Sequence, residues 1–228
     1  MENTAVRTPV RSKVNSFYAR YGKRTLDIVL SAGALLVFSW LYLLLILIVA
    51  IKMGRPVFYA SERISKDEKP YQNYKFRSMT NERDENGVLL PNQQRLTKFG
   101  KLLRSTSLDE LPALWNVLKG ELSIVGPRPM PTKYLPYFYE DEHARHLVRP
   151  GLTGWAQANG RNDLSWEEKF AHDVWYVENI SLWLDIKILF LTVIKVLKRE
   201  GIGQGSQQPV SLHIERADYV KNEDGVVQ

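Results

Sequence analysis

The chain has 228 residues, with 31 Lys and Arg against 25 Asp and Glu, for a formal charge of +6. Apolar residues make up 44%, which excludes a disordered or fibrous protein. The absence of Cys excludes disulfides, Cys-ligated zinc or iron–sulfur centres and a thiol nucleophile. A basic balance by itself fits a nucleic-acid binder as well as a membrane-surface protein.

Ile28 to Ile51 is a run of 24 residues without a charged side chain. As a helix it reaches roughly 36 Å, enough for a hydrocarbon core of about 30 Å. Lys52-Met53-Gly54-Arg55 follows it where a signal peptide would carry a small-residue cleavage site. Arg7, Arg11, Lys13, Arg20, Lys23 and Arg24 precede the run, and Lys52, Arg55, Arg63, Lys66 and Lys69 follow. Both flanks therefore carry the cytoplasmic bias. A single span puts one of them outside, whereas a re-entrant hairpin keeps both inside and needs a break whose backbone groups find partners. Ser39, near the centre, can bond back to a carbonyl, while Trp40 after it offers no break.

Beyond the run, Pro56 to Ala60 and Tyr71 to Met79 read as two short strands around a polar turn, Ser61 to Pro70. Glu82 to Arg95 reads as a surface loop. Thr97 to Ser105 and Leu108 to Leu118 read as helices, the second stopped by Lys119-Gly120. Ser123 to Pro131 is a rigid loop with Pro on both sides of Arg128. Lys133 to His146 is a predicted helix, Arg149 to Arg161 a Gly-rich structured loop, and Leu164 to Asn179 and Ser181 to Glu200 are two more helices. Twelve of the twenty residues from Ser181 to Glu200 are apolar, which suits either a core helix or one lying in a membrane interface. From Gly201 the tail is polar and expected to be loose.

The densest candidate chemistry is Arg104-Ser-Thr-Ser-Leu-Asp109-Glu110. Ser107 and Glu110 fit a capping box at a helix start. The same helix end attracts phosphate, and a carboxylate there can hold a divalent cation or attack phosphorus. Arg128 in its Pro frame suits bidentate binding of a pyrophosphate, or is a solvated side chain in a turn. Lys75 and Arg77, two apart on a strand, share a face opposite Tyr74 and Phe76, forming either a basic binding face or an ordinary half-buried strand. The four His show no convincing ligand spacing; His143 and His146 read as surface residues.

Lys23-Arg24-x-x-Asp27, Tyr74-Lys75-Phe-Arg-Ser-Met79, Arg104 to Pro112, Asn116-Val-Leu-Lys-Gly120, Ser123-Ile-Val-Gly-Pro-Arg128-Pro, Arg149 to Arg161 and Leu184-Asp185-Ile-Lys occur in this order. From about residue 20 to 202 they resemble the bacterial sugar transferases, the monotopic phosphoglycosyl transferases, in their small single-domain form. The loop Glu82 to Pro91 looks most like members that prime N-glycan assembly with diacetylbacillosamine phosphate. The resemblance implies transfer of a sugar 1-phosphate from a UDP-sugar to undecaprenyl phosphate, with release of UMP. It implies Asp109 as nucleophile and Mg²⁺ ligand and Glu110 as its partner. Arg104, Arg128 and Lys75 would bind phosphate, and Gln157, Arg161 and Asp173 are candidate substrate contacts.

The implied fold is α+β and mainly helical: a re-entrant membrane helix broken at Ser39-Trp40, a small β-hairpin, and interfacial helices around a cytoplasmic active site. The family break is Ser-Pro, so Trp40 is a departure. The expected division is 1–53 for the membrane part, 54–202 for the catalytic part and 203–228 for the tail. Expected partners are the two substrates and anionic lipid, with a second copy of the chain as a candidate and no nucleic acid. The expected location is the cytoplasmic face of a bacterial inner membrane. A non-enzymatic membrane-anchored basic scaffold is the rival reading. Residues 1–53 carry 7 Lys and Arg against 2 Asp and Glu, and the remainder 24 against 23. The excess charge thus frames the apolar run and suits anionic head groups.

Overall fold

The structure is a computed structural model that describes residues 13–160, 164–198 and 211–218. Among the described residues the fold is mainly helical with two small sheets, the α+β class expected.

The apolar run forms two helices rather than one. A π-helical turn (Tyr18–Gly22) enters α1 (Lys23–Val37), and α2 (Ser39–Met53) leaves it at a bend of 66°. Among the described residues no single helix is long and apolar enough to cross a membrane. The break falls at Phe38, with φ −98° and ψ 17°, one residue before Ser39, and no side chain caps α2. The Phe38 N–H still donates to the Ala34 carbonyl, so the chain bends by backbone rotation and needs no proline. Gly54 ends α2 at φ +69°, a conformation that favours glycine.

Three charged residues at the start of α1 bolt this hairpin to the rest. Lys23 pairs with Asp185 at 2.6 Å. Arg24 donates to the carbonyls of Val117 and Leu118, capping a helix C-terminus. Asp27 accepts from Ser123 Oγ and the Ile124 N–H. Part of the basic flank is therefore spent inside the protein rather than facing lipid. The far half of α2 packs through Leu45 and Val49 on Phe76 and Leu103.

β1 (Phe58–Ile64) pairs antiparallel with β2 (Pro70–Phe76), Phe58 opposite Phe76 and Ile64 opposite Pro70. β1 runs further than predicted, because a hairpin with a solvated side accommodates Glu62 and Arg63. After the short α3 (Asn92–Arg95), α4 (Lys98–Ser105) is capped by Thr97, whose Oγ1 accepts the Gly100 N–H at 2.9 Å. The single helix predicted over 108–118 is instead a 3-10 turn (Leu108–Glu110) and α5 (Ala113–Lys119). Pro112, with no N–H to give, stands at the joint.

β3 (Ser123–Val125) and β4 (Gly151–Thr153) pair in parallel where two loops were expected. A Cβ at Gly126 would sit 2.4 Å from the Arg149 carbonyl, so glycine is what lets the segments meet. The helix predicted over 133–146 is two 3-10 helices, Thr132–Tyr137 and Glu140–Leu147, the first containing Pro136. The short α6 (Trp155–Asn159) precedes α7 (Trp166–Asn179), which starts with a Ser165/Glu168 capping box.

α8 (Leu182–Leu197) answers both readings of its sequence. Asp185 and Ile188 are buried, Ile188 against Val125, Val148, Tyr176 and Val177, while Trp183, Phe190 and Val193 stand exposed. α9 (Leu212–Glu215) belongs to the tail expected to be loose. Leu212 is nonetheless fully buried with Ile64, Met130 and Phe170, and Arg216 pairs with Glu142 at 2.6 Å.

Candidate active site

Asp109 and Glu110 lie on the 3-10 turn that follows α4. Ser107 precedes them at φ 57°, left-handed, and caps nothing, so the expected Ser107/Glu110 capping box does not form. Glu110 pairs instead with Lys75, which β2 directs toward the turn. Arg104, in the last turn of α4, donates Nε to Ser78 Oγ at 2.8 Å. Asp109 is 8% exposed. Burial first, and then the charge of Glu110, push its carboxyl up to about 6, while Lys75 and Arg104 pull it down. Four of the sequence candidates, Asp109, Glu110, Lys75 and Arg104, thus come together from three elements.

Arg77 does not join them. It is buried, and its Nη1 donates to the Arg55 carbonyl at 2.9 Å, so the basic face predicted for Lys75 and Arg77 reduces to Lys75. Arg128 is exposed on the Pro-framed loop, and its carbonyl accepts from Arg145 Nη2 at 2.6 Å. Arg145 also pairs with Asp173 at 2.6 Å. Asp173, on α7, is 1% exposed and reaches the loop through Arg145. Gln157 is on α6, packed between α7 and α8, and its Oε1 is buried without a hydrogen-bond partner. Arg161 falls outside the described residues.

Two residues that sequence reasoning missed connect the Arg128 loop with the carboxylates. Arg63 of β1 and Tyr71 of β2 face each other across the hairpin. Burial first, and then the charge of Arg128, push the Arg63 guanidinium down. The Tyr71 hydroxyl is buried without a hydrogen-bond partner. Burial raises its pKa well above that of a free phenol, the Arg63 charge opposes this, and the charges of Glu121 and Glu110 add to it. Tyr71 and Lys75, four apart on one strand, share a face. A predicted hairpin register would have found Arg63 and Tyr71, but the pattern alone does not fix a register.

The model of the family described as bacterial sugar transferase matches residues 18–199. The chain belongs to the bacterial sugar transferase family. It is an enzyme of the transferase class. It is similar to the uncharacterized sugar transferase EpsL of Bacillus subtilis, 54% identical over 182 residues, which covers 80% of this chain and 90% of that one. It is 39% identical over 199 residues to the exopolysaccharide production protein ExoY of Rhizobium meliloti, covering 78% and 87% of the two chains. It is 40% identical over 200 residues to the undecaprenyl-phosphate galactose phosphotransferase of Salmonella typhimurium, covering 80% of this chain but only 42% of that longer protein.

In this sugar transferase the candidate site lies on the side of the molecule that α2 packs against, since Leu108 and Leu111, on either side of the two carboxylates, join the same cluster. Leu45 and Val49 of α2 touch Phe76, next to Lys75, and Leu103, next to Arg104. The apolar hairpin and the carboxylates are therefore joined through the same few residues.

Proposed function

We propose that the chain is a membrane-bound phosphoglycosyl transferase that moves a sugar 1-phosphate from a UDP-sugar to undecaprenyl phosphate by way of an Asp109 phosphosugar. The observation that carries the reading is a buried carboxylate, Asp109, within the electrostatic reach of a second carboxylate and two cations. The match to the undecaprenyl-phosphate galactose phosphotransferase supports the donor and acceptor classes.

An Asp109 oxygen attacks the phosphorus bonded to the sugar. The bond from that phosphorus to the bridging oxygen breaks, and UMP departs with the electron pair. An oxygen of the lipid phosphate then attacks the same phosphorus, the acyl phosphate bond breaks, and Asp109 returns as a carboxylate. Lys75 and Arg104 offset the charge that gathers on the phosphoryl oxygens. Glu110 holds Lys75 in place, and Arg63 and Arg128 present two guanidiniums to the outgoing nucleotide. The donor set also fits a divalent cation. Two adjacent carboxylates are hard oxygen ligands, and burial together with the Glu110 charge disfavours the Asp109 anion, which a cation would stabilise. Mg²⁺ held by Asp109 beside Glu110 would offset both carboxylate charges.

The same reading assigns residues 1–53 to the bilayer as a re-entrant hairpin and 54–202 to catalysis at its cytoplasmic face. Leu36, Trp40, Leu43 and Ile51 on the hairpin and Trp183 and Phe190 on α8 are all exposed, and exposed apolar area on this scale suits lipid better than water.

Intact mass after exposure to a UDP-sugar without lipid acceptor tests the reaction. A sugar-phosphate adduct on the native chain, absent in Asp109→Asn, is expected; full turnover by that variant overturns the mechanism. A panel of UDP-galactose, UDP-glucose, UDP-N-acetylhexosamines and UDP-diacetylbacillosamine, read by UMP release, identifies the donor.

A further inference from the structure

Glu68, His143 and His146 converge away from the carboxylate site. Glu68 stands in the turn between β1 and β2, and the two histidines lie three apart on the 3-10 helix Glu140–Leu147. Glu68 Oε1 is 2.5 Å from His143 Nδ1 and 3.2 Å from His146 Nδ1, and the three ligand atoms all lie within 4.8 Å of one another. They line an open cleft of about 380 Å³ together with Asp67, Ala144 and Leu147.

We propose that Glu68, His143 and His146 form a binding site for a transition-metal dication of the zinc type, separate from the site at Asp109. Two imidazoles and one carboxylate are the donors such an ion prefers, whereas Mg²⁺ and Ca²⁺ favour all-oxygen sets. Ligand atoms about 2.0–2.1 Å from a tetrahedral ion are roughly 3.3 Å apart. The Glu68 to His146 spacing already matches that value. The Glu68 to His143 spacing must open by less than 1 Å, and His143, with a side chain 39% exposed, has room to move.

The support around the three ligands is unequal. Phe138 packs edge-on against both rings, at 5.9 Å for His143 and 5.2 Å for His146, of which only His146 is buried. Asp67 and Glu68 are consecutive non-glycine residues at φ 54° and 60°, and this rare backbone turns Glu68 toward the histidines. Against the site, Arg145 Nη1 lies 3.5 Å from His146 Nε2. That contact is at the limit of a hydrogen bond, and the Arg145 charge is matched by Asp173 at 2.6 Å. Three protein ligands leave one position for water. The bound ion would tie the hairpin turn to the helix whose Arg145 holds the Arg128 loop.

The experiment uses the untagged full chain in detergent micelles, stripped with chelator and titrated with Co²⁺, followed by Zn²⁺ competition. One Co²⁺ per chain with the visible absorption of a tetrahedral site is expected, displaced by Zn²⁺. His143→Gln, chosen because His143 is part-exposed and its loss leaves the fold, should weaken binding at least tenfold, and Glu68→Gln likewise. Asp109→Asn should bind Co²⁺ as the native chain does. Absence of stoichiometric Co²⁺, or unchanged binding in a folded His143→Gln variant, overturns the site. Loss of binding in Asp109→Asn alone assigns the ion to the other carboxylates and also overturns it.

Discussion

Asp109 is held at the expense of stability. A carboxyl raised from the usual 3.8 to about 6 takes up a proton in the folded state over a pH range where the unfolded chain has already lost it. The fold is therefore relatively more stable below that window and loses stability as pH rises through about 6. At roughly 1.4 kcal/mol per pH unit, the cost at about pH 7.5 reaches at most about 3 kcal/mol. Asp109→Asn removes the charge and keeps the shape. Thermal melts in Mg²⁺-free buffer should show the variant about 1–3 kcal/mol more stable than the native chain near neutral pH, with the gap shrinking as pH falls from about 6 and closed below about pH 4. A gap that does not change with pH would mean that Asp109 carries no charge penalty. The residue scale also shows what a sequence conceals. Asp109, Glu110, Lys75 and Arg104 are legible because their types are few and their motifs dense. Tyr71 and Arg63 read as ordinary strand residues until the hairpin pairs them. His143 and His146 look like surface residues because their third partner, Glu68, is 75 positions from His143.

At the scale of elements, local signals were reliable where the chain obeys them. Ser165 and Glu168 form the capping box that their spacing describes, whereas Ser107 and Glu110 share the spacing and form none. The difference is tertiary: Lys75 claims Glu110, and Ser107 turns left-handed to place Asp109. β3 and β4 are three residues each, too short to show a period, and their pairing is set by contacts around Gly126. The motifs at Lys23-Arg24-x-x-Asp27 and Leu184-Asp185 are plain in the sequence, yet their work is to join elements 93 to 162 residues apart. Asp185 accepts from Lys23, from the Tyr18 hydroxyl at 2.6 Å and from the Tyr176 hydroxyl at 2.7 Å, all buried or part-buried. Removing one member leaves a buried charge without its counterion, which costs about 3–5 kcal/mol. Lys23→Met should therefore melt far below the native chain, and Lys23→Met with Asp185→Asn should recover much of the loss. A single variant as stable as the native chain would mean that this pair does not hold the hairpin down.

At the scale of the whole molecule, both limbs of the apolar hairpin are fastened to one body. The chain meets that body at Lys13, whose N–H donates to the Val177 carbonyl, and again at Lys23, Arg24 and Asp27. It returns to the body at Leu45 and Val49, and Gly54 leads directly into the β-hairpin. The uncharged part of α1, Ile28 to Val37, rises roughly 15 Å and that of α2, Ser39 to Ile51, roughly 20 Å, so neither limb alone crosses a hydrocarbon core of about 30 Å. A straight span would need the 66° bend to open and would carry one end away from its contacts with the body. Trp40, which stands where a proline would mark the break, does not prevent the bend, because Phe38 supplies it by rotation. On the reading proposed above, the bend and the two basic flanks both suit residues before and after the hairpin lying on one side. The chain has no Cys, so single cysteines report cleanly. Asn3→Cys and Ala60→Cys should both resist a membrane-impermeant thiol reagent in intact cells and both react after permeabilisation. Labelling of Asn3→Cys from outside, with Ala60→Cys still protected, would establish a span and overturn the re-entrant hairpin.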